Sequence, residues 1–341
     1  MDWRLALKQS KRWLAFFLLF IVVVFMLSLS TGPMPINQTE VFQTLAGNGT
    51  PKQELVLFQL RFPRMIIAIL IGMGLALSGS ILQGLSRNSL ADPGILGINS
   101  GAGLAVVFFI FLFGQEERSI MTEPLFLPFF AFIGALTIAT LIYLLSWKKG
   151  IEAGRLLLTG LGFNALCAAL LVILQLKIDP KDFQQATIWL TGSIWGTQWP
   201  YVWALCPWII LLLPVTYSKA RTMNILQMNE EIPVALGIQV EKDRFLLLCL
   251  SAALAGACVA VGGGISFIGL LAPHLARRLC GPNYFVNLPL SALIGASLLL
   301  LADMIGKNLL APADIPVGIV ISIIGAPYLI YMLLTRKSTS M

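Results

Sequence analysis

Apolar residues run along this chain in long blocks and do not alternate with polar ones. Residues 13–29, 65–85, 95–113, 124–147, 156–176, 200–217, 245–276, 288–302 and 315–334 each lack a charged side chain. Most of these blocks have about the 17–25 residues that a helix needs to cross the hydrocarbon core. Backbone groups in lipid must find partners inside the protein, and with no period-2 alternation to suggest a barrel the spans are expected to be helices. The block at 245–276 is too long for one span and contains Gly262, Gly263 and Gly264, so it predicts two helices with a break between them. The pattern as a whole predicts an all-α, polytopic membrane bundle of about ten transmembrane helices, forming one domain over residues 1–341.

The polar residues between the blocks set the orientation. With the N-terminus in the cytoplasm, alternate loops hold 16 of the Lys and Arg residues inside and 7 outside, which places both termini in the cytoplasm. Basic residues before the first block give it the look of a secretory leader, but the many spans behind it favour an uncleaved first helix. The longest internal loop is 218–244. In it Asn229 can cap a short helix that carries Glu230 and Glu231 in its first turn, and Gly237 can end that helix in a left-handed conformation. Ile232, Val234, Ala235 and Leu236 would give the helix an apolar face, fit either to lie on its own protein or to enter a groove on a partner.

The stretch "LSRNSLADPGILGINSGAG" at 85–103 carries more polar and flexible residues than a turn requires. Asp92 as N-cap and Pro93 at the first helical position predict that the third span starts at Pro93. Gly97 and Gly101, with Ser100 between them, have the small-xxx-small spacing that lets membrane helices approach closely, as do Gly72, Gly74, Ser78 and Gly79 on the span before. Tight packing and the lining of a passage both fit such smooth faces.

Two charge placements stand out. Arg61 and Arg64 in "RFPR" lie on the outer side, against the positive-inside bias, and Lys307 is a third outer cation. Their forked or point charges suit an acidic surface docking from outside, and snorkelling to lipid headgroups serves equally. Asp303 is an acid well inside a span, a position that marks function by default, but Lys307 one turn later can satisfy it.

Composition narrows the class. Of 341 residues 57% are hydrophobic and 11% charged, with mean hydropathy +0.86, which excludes an ordinary soluble domain. The net charge of +7 follows from the inside bias and calls for no nucleic-acid partner. Five cysteines without a C-x-x-C pair and a single histidine suggest neither a metal site nor a disulfide framework, so no catalytic residue, metal or cofactor is assigned to this chain. The sole Gly-Lys, at 306–307, has Leu301 where a phosphate-binding loop needs its first glycine, so any ATP must be hydrolysed by another chain. A secondary transporter would need titratable groups or broken helices near the midplane, and the spans offer almost no titratable group.

Further motifs give these features a common setting. "RFPR" at 61–64, "GLALSG" at 74–79 with Gln83, "RNSLADPGILGINSGA" at 87–102, "WLTGS" at 189–193, "ALG" at 235–237, "GISFIGLLAPH" at 264–274 with Arg277, Asp303, "PVGI" at 316–319 and "GAP" at 325–327 occur in this order. Together they resemble the iron-siderophore and vitamin B12 permease family of bacterial ABC importers over nearly all of the chain beyond the first helix. Ser89 departs from the family's usual proline, and Lys307 stands where arginine is common. The resemblance implies a ten-helix permease in the cell membrane, paired with a second permease of the same or similar sequence above two ATPase subunits that use the ATP. It implies an external binding protein that selects the cargo, with a ferric siderophore as the first expectation and cobalamin or haem as alternatives. Arg61, Arg64 and Lys307 match positions that meet glutamates of the binding protein. Glu230, Glu231, Ala235, Leu236 and Gly237 match the segment that couples to the ATPase. Gly97, Ser100, Gly101 and Asp303 fall to helix packing or to the pathway.

Overall fold

The computed structural model describes residues 3–32, 34–113, 125–147, 153–228, 231–311 and 313–335. Fourteen helices are described: α1 (Trp3–Ser30), α2 (Gln38–Leu45), α3 (Pro51–Ser86), α4 (Ile98–Phe113), α5 (Phe126–Ser146), α6 (Ala153–Gln175), α7 (Pro180–Thr191), α8 (Trp199–Ser218), α9 (Ala220–Leu226), α10 (Glu231–Ala235), α11 (Val240–Gly262), α12 (Ile268–Cys280), α13 (Tyr284–Leu309) and α14 (Val317–Thr335). Eight of them are long and apolar enough to cross a membrane, and α4 is a shorter apolar helix of 16 residues.

Burial sorts these helices into a centre and a rim. In α3, α11 and α13 the most apolar stretches are 78%, 72% and 67% buried, whereas in α1 and α6 only 17% is, which places the first three at the centre and the other two at the rim. Small residues make the centre possible. A Cβ on Gly72 would run into the Gly295 backbone of α13, one on Gly79 into the Gly269 backbone of α12, and one on Gly74 into Cys258 of α11. Ser78 adds a hydrogen bond to the Ser251 carbonyl oxygen of α11 at 2.8 Å. The small residues of α3 therefore serve three neighbours in turn.

Near its outer end α3 widens into a π-helical stretch at Leu55–Arg61, where the Phe62 N–H reaches back five residues to Leu57. The next residue, Pro63, has no N–H for the ordinary register, and a wide turn is one way a helix absorbs that loss.

Three expectations are corrected. The third span does not start at Pro93: Asp92 and Pro93 open a separate turn, Gly97 at φ +85 breaks the chain direction, and α4 starts at Ile98. Gly97 and Gly101 do not form one seam. Gly97 lies against Gly160 and Asn164 of α6, whereas Gly101 lies against Gly134 and Ile138 of α5. The break at Gly262–Gly264 is present, but α12 after it has only 13 residues. At about 1.5 Å per residue it is roughly 20 Å long, too short to span alone. The break itself is held from outside: the Gly264 N–H donates to the Trp189 carbonyl at 3.2 Å, and the Gly318 N–H at the start of α14 donates to the Gly192 carbonyl at 2.9 Å. "WLTGS", "GISFIG" and "PVGI" thus meet at one place.

Candidate functional site

The outer cations converge at the ends of α1, α3 and α13. The last carbonyls of α1 have no partner within their helix, and cations are favoured at that end. Lys307 Nζ donates to the carbonyl oxygen and to Oγ of Ser28, both at 2.6 Å, and the Arg61 guanidinium donates to the carbonyls of Leu29 and Met34. Arg64 turns the other way, with Nε on Asp303 Oδ1 at 2.8 Å and a terminal nitrogen on Asp314 Oδ2 at 3.0 Å. Relative exposure is 9% for Arg61, 6% for Lys307 and 1% for Asp303, so these are inward-facing groups.

The expected pairing of Asp303 with Lys307 is therefore replaced. Asp303 takes Arg64, 239 residues away in sequence, and Lys307 takes the end of α1. Asp314, in the loop after α13, is a member of the cluster that spacing alone did not reveal. Its one sequence signal was an acid placed just outside a span. Three cations against two carboxylates leave one positive charge in excess. The cluster forms one wall of an outward pocket of about 320 Å³, with Trp195 and Gln198 facing it.

The inner candidate is built the opposite way. After α8, α9 packs Ala220, Met223 and Leu226 into the bundle, and Lys219 pairs with Asp243 at 2.9 Å. α10 then rests on its own protein through Pro233 and turns its other apolar side chains outward. Val234 and Leu236 are 65% and 60% exposed, and Ile232 and Ala235 are exposed as well. Gly237 sits at φ +76, and the Ile238 N–H closes the helix end on the Pro233 carbonyl at 3.0 Å, the left-handed cap expected from the sequence. α10 begins at Glu231; Asn229 and Glu230 lie outside the described residues.

Beside the inner candidate lies the 87–97 connection, whose Arg87 reaches Leu226 and Met228. Burial pushes the Asp92 carboxyl up to about 6, against the backbone N–H groups of Gly94, Ile95 and Leu270 that it accepts, which pull it down. Ser100 donates to the Asn164 side-chain oxygen of α6, and Asn99 donates to the Ile265 carbonyl at 3.0 Å. Among the described residues no group of three or more His, Cys, Asp or Glu side chains gathers to hold a metal ion.

Comparison with known proteins places this architecture. Residues 19–335 match the model of the FecCD transport family. The iron(3+)-hydroxamate import system permease protein FhuG of Bacillus subtilis (strain 168) is 51% identical over 317 residues, covering 93% of this chain and 94% of the relative. The iron-uptake system permease protein FeuC of the same organism is 41% identical over 326 residues, covering 95% and 97%. The hemin transport system permease protein HmuU of Yersinia pestis is 38% identical over 335 residues, covering 96% and 97%. A solved inward-facing ABC transporter of metal-chelate type superposes with a TM-score of 0.83 at 30% identity, over 94% of this chain and 98% of that one.

Proposed function

The chain belongs to the FecCD transport family and is a multi-pass membrane permease of an ABC importer, and on that premise we propose that its cargo is a ferric siderophore of the hydroxamate class. An external binding protein hands over the chelate, ATPase subunits on separate chains use the ATP, and a second permease, the same or a sister chain, completes the passage. The observation that supports the cargo is the 51% identity, over nearly the full length of both chains, with a hydroxamate permease. Haem is the second reading, favoured by the hemin permease at 38%, and cobalamin is the third.

The exposed apolar helix α10 supports the ATPase partner, because large exposed apolar side chains outside the membrane mark a protein contact. A short amphipathic helix fitting a groove is a common way to make one. For the binding protein, Arg61, Arg64 and Lys307 form the wall of the outer pocket and are not a free fringe. An acidic lobe that uses Arg64 has to compete with Asp303 and Asp314 for it.

Uptake by cells that lack the endogenous systems tests the cargo. With the permease, its ATPase and its binding protein restored, radioiron presented as a trihydroxamate chelate should enter in an ATP-dependent way. Uptake of haem or cobalamin with none of the ferric chelate would overturn the assignment.

A further inference from the structure

The hydrogen bonds that attach the inner segment to the end of α3 are made by the residues just before α10. Arg87, after the last turn of α3, donates from one guanidinium nitrogen to the carbonyls of Leu226 at 3.0 Å and Met228 at 2.7 Å. Gln227 answers with a bond from its amide nitrogen to the Gly84 carbonyl at 2.9 Å. These Leu226 and Met228 carbonyls belong to the end of α9, where intrahelical partners run out, so Arg87 caps that helix as well as tying it to α3. Arg87 has φ +48, a conformation that a non-glycine residue keeps when its surroundings fix it.

The same stretch is also tied to the break between α11 and α12 and to the first turn of α12. Gln83 donates to the carbonyls of Gly269 and Leu270, both at 3.2 Å. The Asp92 carboxylate lies against Gly269 at the start of α12, and Asn99 donates to the Ile265 carbonyl at 3.0 Å. Residues 83–99 therefore bond to the end of α9 through Gly84 and Arg87, and to residues 265–270 through Gln83 and Asn99.

Resting on the reading that this chain works with an ATPase, we propose that residues 83–99 form a strut carrying displacement of the α10 segment to the α11–α12 break, with Arg87 as the positioning residue at its inner end. The covalent route from α10 to α11 passes through Gly237 and Gln239, which are exposed and bonded mainly to their near neighbours, so it transmits a displacement poorly. The strut has several bonds to each of its two neighbours, and Gln83 and Asp92 are buried within it. Spatial linkage alone does not establish coupling, so the test must read coupling itself.

The complete transporter, reconstituted with its ATPase and binding protein in proteoliposomes, is assayed for ATP hydrolysis and for entry of a radioiron trihydroxamate chelate. In Arg87→Ala, hydrolysis should stay within about twofold of wild type, with the KM for ATP unchanged, while chelate moved per ATP falls by about tenfold. Arg87→Lys, which keeps a donor for one carbonyl, should recover part of the ratio. Gln227→Ala removes the reciprocal bond from an exposed side chain and should lower the same ratio by a few-fold, about 5 at most; it decides the matter alone if Arg87→Ala does not assemble. An unchanged ratio in the variants that assemble overturns the strut and leaves the importer standing. A wild-type complex that hydrolyses ATP but moves none of the ferric, haem or cobalamin chelates defeats the transport reading instead.

Discussion

The outer charge cluster and the inner α10 segment were both marked as contact sites by their residues, and the fold treats them in opposite ways. Outside, every candidate cation is turned inward and bonded to carbonyls or carboxylates of the chain itself. Inside, Ile232, Val234 and Leu236 in the α10 segment are exposed, and Pro233 is the side chain that packs on the protein. A charge at an outer face is thus no measure of availability, because the ends of membrane helices carry unpaired carbonyls that compete for it. An apolar helix in water has no such internal competitor, and its exposure is the stronger sign of an absent partner.

The contrast can be broken at its strongest point first. Arg64→Ala leaves the buried Asp303 without its cation, and breaking a buried pair in this way costs about 3–5 kcal/mol. The expected result is a large drop in thermal stability in detergent; a variant as stable as wild type would show the cluster to be loosely held. For the same reason charge reversal at Arg61 and Arg64 confounds docking with folding.

The Asp92 anchor predicts a pH effect on the order of 2–3 kcal/mol. Its carboxyl is raised in the folded state, so between the unfolded value near ~4 and the folded value near 6 the folded chain holds a proton that the unfolded chain releases. Stability should therefore rise as pH falls through 6, and the rise should be absent in Asp92→Asn. Identical pH slopes for the two proteins would remove the titration from Asp92.

At the inner face, Leu236→Asp should change the stability of the isolated chain by no more than about 0.5 kcal/mol, as exposed substitutions do. It should weaken association with the ATPase by about 1.5–3 kcal/mol, the worth of one buried leucine. Binding unaffected in a co-purification titration would remove α10 from the interface. The smallest effect is the most discriminating for docking. Asp314→Asn frees one face of Arg64, and if Arg64 meets an acidic lobe, affinity for the binding protein should rise by about two- to fivefold, within the range of a partly exposed charge pair. An unchanged affinity would assign Arg64 to the bundle alone.

Much of this was legible along the chain. The spans, the break at Gly262–Gly264, the left-handed end at Gly237 and the smooth face of α3 were readable because each depends on a few neighbouring residues. The start of α4 was misplaced because Asp92-Pro93 caps a turn as well as it caps a helix, and only Gly97, pressed against α6, decides between them. The role of Arg87 was not legible, since nothing near it in sequence reveals the carbonyls of Leu226 and Met228.

By itself the sequence determined that the chain is a helical membrane protein, roughly where it crosses, and the family to which its ordered motifs belong. Those outcomes follow from the free energy of moving each segment into lipid, a sum over residues adjacent in the chain. Only the tertiary structure decided that Arg64 takes Asp303, that Lys307 takes the end of α1, and that α10 leaves Val234 and Leu236 exposed. Such choices are settled by which desolvated groups the packed helices bring within hydrogen-bond reach, across separations of 239 and 279 residues for which sequence carries no local signal.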